Sequence, residues 1–129
     1  MIFDSDALIS LGRGDTHAKA IFDNDASPAL STVTLIELFQ GSRSALELVT
    51  TRSFVQKLGL RLIPVNEAIS YRAVALIEKH APGDGLQLAD ALIAATALEH
   101  GETLVTGNVR HFRAIRGMQI KPFRRSGVH

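Results

Sequence analysis

Residues 86–106, LQLADALIAATALEHGETLVT, place a long apolar segment directly before a short segment rich in Thr, Leu and Val. Residues 86–100 predict a helix that is apolar nearly all round, which is typical of a helix packed inside a domain. Gly101 ends this helix, and residues 103–106 predict a buried strand. A buried helix that leads into a buried strand is the building unit of an α/β domain.

The rest of the chain repeats this alternation on both sides of that stretch. Strands are predicted at residues 1–3, 29–31, 62–65 and, at an edge, 118–121. Helices are predicted at residues 7–11, 15–24, 34–40, 45–58, 67–80 (closed by Pro82 and Gly83) and, as a turn or short helix, 108–114. Short strands alternating with helices predict a short, mainly parallel sheet sandwiched between helices, an α/β/α architecture.

Composition and length restrict the class of protein further. The chain has 129 residues, of which 46% are hydrophobic, so we expect one compact domain over residues 1–129. It has no cysteine, which excludes disulfide frameworks, zinc–thiolate sites and a cysteine nucleophile. The N-terminus meets an acid at Asp4 and has no basic segment followed by an apolar one, and no window of about 18 apolar residues occurs. We therefore expect a cytoplasmic protein without membrane contact.

Charge is distributed unevenly along the chain. Residues 110–129 carry six basic side chains and no acidic one, whereas residues 1–109 carry 8 basic and 13 acidic residues. A basic C-terminal segment of this kind neutralises phosphates, so nucleic acid is a natural partner. A solvated C-terminus without any partner explains the same charge pattern equally well.

Four residues stand out because each is polar where its surroundings are apolar or where a strand ends: Asp4, Glu37, Asp90 and Asn108. Asp4 and Asn108 each follow a predicted strand, and ligands of open parallel sheets bind beyond the carboxyl ends of strands. Glu37 and Asp90 are predicted in the first turns of helices whose starts face the same edge. Three carboxylates in one crevice repel one another unless a cation neutralises them, and oxygen ligands suit Mg²⁺ or Mn²⁺. The set therefore predicts a divalent metal site.

Each of these residues also has a purely structural alternative. Asp4 is compatible with a turn before the first helix. Thr34 and Glu37 match a capping box, in which Glu37 reaches back to the backbone of Thr34. Asn108 is compatible with a turn residue in the left-handed conformation. Asp90 is the hardest to explain structurally, because it lies on the most buried predicted helix, where an unpaired charge costs on the order of several kcal/mol.

Four segments, taken in order, carry a family resemblance: residues 3–9 (FDSDALI), 32–38 (TVTLIEL), 88–97 (LADALIAATA) and 104–112 (LVTGNVRHF). They resemble the four blocks of PIN-domain nucleases, and most of all the VapC-type ribonuclease toxins of bacterial toxin–antitoxin pairs. The resemblance spans the whole chain, and its order, spacing and total length agree. The third block is the most specific, whereas the first block alone is weak.

This resemblance implies a sandwiched parallel sheet with a Mg²⁺-dependent endoribonuclease site, in which Mn²⁺ is able to substitute. Carried over by position, it makes Asp4, Glu37 and Asp90 the metal-binding acids and places Asn108 at the fourth corner of the catalytic set. Members of the family vary at that corner between Asp and Asn, often with a further Asp shortly afterwards. This chain has His111 at the later place, so the resemblance leaves open whether a second metal ion binds.

The resemblance also implies supporting residues and partners. Asp6 and Thr106 would support the metal-binding acids from the surrounding structure. The expected partners are an RNA substrate, a cognate antitoxin and a second copy of the chain, the last through an apolar run around Ile36, Leu38 and Phe39. Flanking RNA phosphates would be bound by three arginines, Arg110, Arg113 and Arg116.

Two other classes of protein remain possible from the sequence. The first is a PIN-fold module that binds RNA or a partner while its site is weak or inactive, an alternative that Asn108 favours. The second is a phosphotransfer enzyme, because Asp4-Ser5-Asp6 has the Asp-x-Asp form of haloacid-dehalogenase-like phosphatases. That second class fits poorly, because such sites need a Lys after a later strand and residues 103–106 are followed by Gly107 and Asn108.

Overall fold

The computed structural model describes residues 1–124. Within this range one sheet contains five short strands: β1 (Ile2–Phe3), β2 (Ala29–Ser31), β3 (Arg61–Ile63), β4 (Leu104–Thr106) and β5 (Ile120–Pro122). Seven helices accompany them: α1 (Ser5–Gly12), α2 (Thr16–Asp23), α3 (Thr32–Gln40), α4 (Ala45–Leu58), α5 (Glu67–Asp84), α6 (Leu88–His100) and α7 (Val109–Phe112). The predicted alternation of strands and helices is confirmed.

The sheet is parallel throughout and has the order β3-β2-β1-β4-β5. β1 lies at its centre, where Ile2 is in register with Ala29 of β2 and Leu104 of β4. The chain first adds strands on one side of β1, up to β3, and then adds β4 and β5 on the other side. This change of direction lies between β1 and β4, which is where open α/β sheets hold their ligands.

Each face of the sheet carries its own apolar core, because successive strand residues point to opposite faces. Ile2 and Leu104 pack with residues of α5 and α6 on one face. Phe3 and Val105, their chain neighbours, pack with residues of α1 and α2 on the other. Helices therefore cover both faces, and the predicted three-layer α/β/α sandwich is confirmed.

α6 is the most deeply packed helix, as its apolar composition predicts. Ala91 and residues 93–97 are all buried, and the small alanine side chains let the helix lie close to its neighbours. Its first residue, Leu88, is by contrast 73% exposed. The predicted start at residue 86 is two residues too early, because Leu86 is buried in the preceding turn and Gln87 is the N-cap.

The prediction that Pro82 and Gly83 close the preceding helix is wrong, because α5 continues to Asp84. Pro82 removes one N–H donor, and the helix ends instead at Gly85, whose left-handed φ of 70° lets its N–H bond back to a carbonyl four residues earlier. His80 is buried one turn inside this end, with its Nδ1 2.7 Å from Asp84 Oδ2. No helix within residues 1–124 is both long and apolar enough to cross a membrane.

α3 begins two residues earlier than predicted. Ser31, the last residue of β2, is also the N-cap of α3, and its Oγ accepts a hydrogen bond from the Val33 N–H at 3.0 Å. Glu37 therefore lies in the second turn rather than the first, and the capping-box interpretation of Thr34 and Glu37 is wrong. Thr34 is instead fully buried within the helix.

Two strands are displaced from their predicted positions. β3 ends at Ile63, two residues earlier than predicted, since Pro64 has no N–H to donate to a neighbouring strand. β5 begins at Ile120, two residues later than predicted, because its register with β4 is set by the pairing of Ile120 with Leu104.

Candidate active site

Asp4 stands at the carboxyl end of β1 and is only 5% exposed. It is the N-cap of α1, and its Oδ1 accepts a hydrogen bond from the Ser5 N–H at 2.8 Å. Its Oδ2 accepts a second bond from the Thr106 hydroxyl, also at 2.8 Å. Because Thr106 ends β4, this bond joins the two strands between which the sheet changes direction. The structural role that the sequence allowed for Asp4 is present, as a helix cap at the switch point.

Asp90 reaches the same edge of the sheet from α6. This helix leads through a short turn into β4, so its start lies towards the carboxyl ends of the strands. Asp90 is its third residue, with a side chain 18% exposed and with Oδ2 3.4 Å from the Gln87 N–H, a capping-box arrangement. Asp90 therefore lies on the most buried helix, as predicted, immediately before its fully buried residues, which begin at Ala91.

Glu37 adds a third carboxyl group from α3. Its Oε1 is buried and has no hydrogen-bond partner. Burial raises the pKa of Glu37, and the negative charges of Asp4 and Asp90 raise it further. These couplings show that the three predicted acids are brought within electrostatic reach of one another. A buried oxygen without a donor is costly, so this position favours a cation or an ordered water.

The pKa values of Asp4 and Asp6 are also raised. Burial is the largest cause for Asp4, the charges of Asp6 and Asp90 add to it, and the hydrogen bond from Thr106 partly opposes it. Burial likewise raises the pKa of Asp6, against the effect of backbone N–H groups that bond to it. Carboxyl groups with raised pKa values are a feature of functional sites.

Asn108 lies at the rim of this crevice rather than inside it. Its backbone N–H donates to Thr106 Oγ1 at 3.0 Å, and that hydroxyl in turn donates to Asp4. The left-handed conformation considered for Asn108 is wrong, because its φ is −93°. Asn108 precedes α7 as its N-cap, but its exposed side chain makes no capping bond. Its amide is therefore available to other partners.

His111 contacts Asp90 from α7. Its Nδ1 lies 3.3 Å from Asp90 Oδ2 without the geometry of a hydrogen bond, and this buried nitrogen has no hydrogen-bond partner. The sequence indicated only that His111 lies near the site. Its position one helical turn after Asn108 predicts a shared face of α7, but the contact with Asp90 depends on how α7 packs against α6.

The donor set suits a divalent cation, although the side chains do not form a finished metal cage. Within residues 1–124, no three His, Cys, Asp or Glu side chains stand close enough together to form a ready-made metal site. The available groups are nevertheless carboxylate oxygens, which Mg²⁺ and Mn²⁺ prefer. The unpartnered Glu37 oxygen and the raised pKa values of Asp4 and Glu37 indicate negative charge that a cation would neutralise.

The three predicted phosphate-binding arginines lie just beyond the crevice and are all exposed. Arg110 lies in α7, Arg113 is the C-cap of this helix, and Arg116 follows in the next turn. The basic segment predicted over residues 110–129 is described as far as Arg124. Its remaining residues, 125–129, lie outside the part of the chain that the structure describes.

A groove of about 450 Å³ lies between α1, α3 and α4. Its lining includes the apolar side chains of Ile9, Leu38 and Leu46 together with Arg13 and Glu37. Because Glu37 belongs both to this lining and to the acidic set, the groove adjoins the crevice.

A phosphotransfer site would need a lysine directly after β4 or β5, and no lysine stands there. The lysine nearest to these strand ends, Lys121, lies inside β5 and pairs in register with Val105. The residues that follow the two strands are Gly107 and Asn108 after β4, and Phe123 and Arg124 after β5.

Comparisons with known proteins agree with the architecture and identify the family. A sequence model of the PIN domain family matches residues 1–117. Ribonuclease VapC1 of Rickettsia felis is 28% identical over 129 aligned positions, which cover 93% of this chain and 93% of that protein. A toxin–antitoxin complex from Klebsiella pneumoniae has a TM-score of 0.77 and 30% identity, covering 95% of this chain and 97% of the other.

A DNA-bound VapBC complex from Salmonella typhimurium has a TM-score of 0.79 at 21% identity, covering 94% and 96% of the two chains, and so supports the fold. The chain belongs to the PIN domain family. The resemblance to VapC-type PIN-domain nucleases, predicted from four short segments, is thereby confirmed.

Proposed function

We propose that this protein is a Mg²⁺-dependent endoribonuclease that acts as the toxin of a type II toxin–antitoxin pair in the cytoplasm. The observation that carries the proposal is the acidic crevice at the switch point between β1 and β4. There Asp4 and Glu37 have raised pKa values, and Glu37 holds a buried oxygen without a partner. The similarity to ribonuclease VapC1 and to a toxin–antitoxin complex supports the same conclusion.

The acidic residues and Asn108 have distinct roles in this proposal. Asp4 and Asp90 would bind the metal ion directly, and Glu37 would bind it directly or through a water. When bound, Mg²⁺, or Mn²⁺ in its place, supplies a Lewis acid that polarises a phosphoryl oxygen and lowers the pKa of the attacking water. The Glu37 carboxylate would also accept the proton of that water. Asn108 would orient a water or a phosphate oxygen without adding charge.

The exposed arginines supply binding without sequence information. Arg110, Arg113 and Arg116 would contact phosphates on either side of the cleaved bond, since phosphate contacts position a nucleic acid and do not read its bases. Only 5% of the residues are aromatic, so base stacking contributes little to recognition.

The groove between α1, α3 and α4 is the proposed docking site for an apolar segment of the antitoxin. It is open and largely apolar, it adjoins Glu37, and the similar structure from Klebsiella pneumoniae is itself a toxin–antitoxin complex. An occupant of this groove would lie next to the crevice and so restrict access for RNA. Leu46→Arg is therefore expected to prevent co-purification with the antitoxin while RNA cleavage by the isolated protein continues.

The test of the enzymatic proposal is cleavage of labelled total RNA with Mg²⁺, with Mn²⁺ and with EDTA. Asp90→Asn keeps the oxygen that caps α6 but removes the charge. Loss of a metal ligand is expected to lower the rate more than about a hundredfold, which corresponds to roughly 3 kcal/mol of transition-state stabilisation. Glu99→Gln is the matched control, because Glu99 lies at the other end of α6 and pairs with Arg72.

Cleavage that requires the metal, survives in Glu99→Gln and is lost in Asp90→Asn would establish the nuclease and its acidic site. Cleavage at the same rate in Asp90→Asn would show that the metal assignment is wrong. If the folded protein binds RNA and Mn²⁺ but cleaves nothing, the alternative of an inactive PIN-fold binding module is correct instead.

A further inference from the structure

Asp6 joins the start of α1 to the turn that follows β4. Its Oδ1 accepts a hydrogen bond from the Ala7 N–H at 2.7 Å, within its own helix. Its Oδ2 accepts a bond from the Gly107 N–H at 2.8 Å, across the switch point of the sheet. Both oxygens are therefore engaged by backbone donors, which distinguishes Asp6 from Glu37 with its unpartnered oxygen.

Gly107 fits closely between Asp6 and the last strand. A Cβ atom added at this position would lie 2.6 Å from Asp6 Oδ2 and 3.3 Å from the backbone oxygen of Phe123. The first distance is too short for any side chain unless the Asp6 carboxylate moves away. Any larger residue at this position would displace the Asp6 carboxylate, so Asp6 and Gly107 form one contact.

The residues on each side of Gly107 connect to the acidic crevice. Thr106 donates its hydroxyl hydrogen to Asp4 Oδ2, and the Asn108 N–H donates to that same Thr106 oxygen. Asp4 thus bonds Thr106 at the end of β4 and Asp6 bonds Gly107 directly after it, while Asn108 is held through the Thr106 hydroxyl. Displacement of Gly107 would move both of its neighbours.

We propose that Asp6 is a positioning residue that fixes the turn of residues 106–108 through the Gly107 N–H, and so aligns the Thr106 hydroxyl with Asp4 and sets the place of Asn108. This inference rests on the proposed nuclease function for its effect on catalysis. In this role Asp6 acts through its hydrogen bond from the Gly107 N–H.

The direct test is the hydrogen-exchange rate of the Gly107 amide, followed by NMR in the wild type, Asp6→Ala and Asp6→Asn. An asparagine retains an oxygen that can accept from Gly107, whereas an alanine does not. We expect exchange to be at least about tenfold faster in Asp6→Ala and close to the wild-type rate in Asp6→Asn. Asp23→Ala, which removes an exposed carboxylate paired with Lys19 on α2, is the matched control.

RNA cleavage by the same four proteins provides the functional measurement. Loss of a residue that orients a metal-binding group typically costs about 10–100-fold, so Asp6→Ala is expected to lose activity in that range. Asp6→Asn is expected to recover most of it. Equal activity of Asp6→Ala and the wild type would overturn the positioning role, as would a failure of Asp6→Asn to restore either activity or slow amide exchange.

Gly107→Ala tests the same contact from its other side, and remains informative if Asp6→Ala does not fold. Its methyl group pushes the Asp6 carboxylate away, so we expect the activity loss seen in Asp6→Ala. The double variant, Asp6→Ala with Gly107→Ala, lacks the Asp6 carboxylate that the added methyl group would push away. Its activity is therefore expected to equal that of Asp6→Ala. Additive losses would show that the two residues act independently.

The amide-exchange result does not depend on catalysis. If the wild type cleaves no RNA, the proposed function fails, and Gly107 exchange still decides whether Asp6 holds the turn. If the wild type cleaves RNA and Gly107 exchange is unaffected in Asp6→Ala, the positioning role alone fails.

Discussion

At the scale of single residues, the crevice is built from carboxyl groups whose charge opposes folding. Burial raises the pKa of Asp4, Asp6 and Glu37, and like charges add to the effect for Asp4 and Glu37. A pKa raised in the folded state means that the folded protein holds the proton more tightly than the unfolded chain. Protonation of these carboxyl groups therefore stabilises the folded protein. That stabilisation is fully present below their ordinary pKa and is lost as the pH rises through the raised pKa. Above that pH these residues destabilise the metal-free protein.

Glu37→Gln tests this relation, since Glu37 makes no hydrogen bond through its buried oxygen. In EDTA at neutral pH the variant is expected to unfold at a temperature about 1–3 °C above the wild type, because the charge is gone. The difference should shrink as the pH falls towards 4.5, the ordinary value for this carboxyl. Thermal denaturation followed by circular dichroism measures it, and a variant less stable than the wild type in EDTA at neutral pH would contradict the expectation.

At the scale of elements, α6 combines the packing of the domain with the presentation of Asp90. Ile93 is 1% exposed in the middle of this helix, whereas Leu88, in its first turn, is 73% exposed. Ile93→Ala is expected to destabilise the protein by about 2–5 kcal/mol, because it leaves a cavity in the core. Leu88→Ala in the same helix is expected to change stability by no more than about 0.5 kcal/mol.

Urea denaturation of the two α6 variants gives both free energies. A small effect of Ile93→Ala would show that the core near the sheet relaxes around the cavity. A large effect of Leu88→Ala would show that this exposed side chain is covered by a partner, most simply a second copy of the chain.

At the scale of the whole molecule, the acidic crevice is followed along the chain by a basic segment that begins at Arg110. Replacing Arg110, Arg113 and Arg116 by alanine should weaken RNA binding at every sequence. For single-stranded RNA the slope of log affinity against log salt should fall in magnitude by about 2, since each lost phosphate contact contributes about 0.7. The binding measurement uses EDTA, so that RNA stays intact.

The matched control is a triple alanine variant of three exposed basic residues on other helices: Lys19, Lys57 and Arg72. Its salt slope should equal that of the wild type. Equal slopes for both triple variants and the wild type would show that RNA does not run across α7 and the turn that follows it.

Self-association is the second property of the whole molecule. The apolar run predicted as an interface is divided by the fold: Ile36 is 62% exposed, Leu38 lines the groove, and Phe39 lies under the Arg52 guanidinium at 5.2 Å. If Ile36 belongs to a homodimer interface, Ile36→Asp converts a dimer to a monomer in sedimentation at micromolar concentration. A wild-type monomer under those conditions would show that the expected second copy of the chain is not a partner.

The strand–helix alternation and the family follow from local sequence patterns. The apolar run of α6 and its glycine end were predictable because they depend on neighbouring residues. The end of α5 was less predictable, because its C-cap is Gly85, two residues beyond Gly83. The start of α3 was also less predictable, because Ser31 serves both as the end of a strand and as a helix cap. Several residues were suitable to start or end those helices, and packing selected among them.

By itself, the sequence determined that the protein is an α/β domain with acids placed after a strand and near the starts of helices, because periodicity, caps and short motifs act over a few residues. The tertiary structure alone decided how Asp4 and Asp90 act on Glu37, that Glu37 keeps an oxygen without a partner, and that Asp6 bonds Gly107. These facts depend on the strand order β3-β2-β1-β4-β5. That order follows from burying apolar surface on both faces of the sheet at once, which no local pattern encodes.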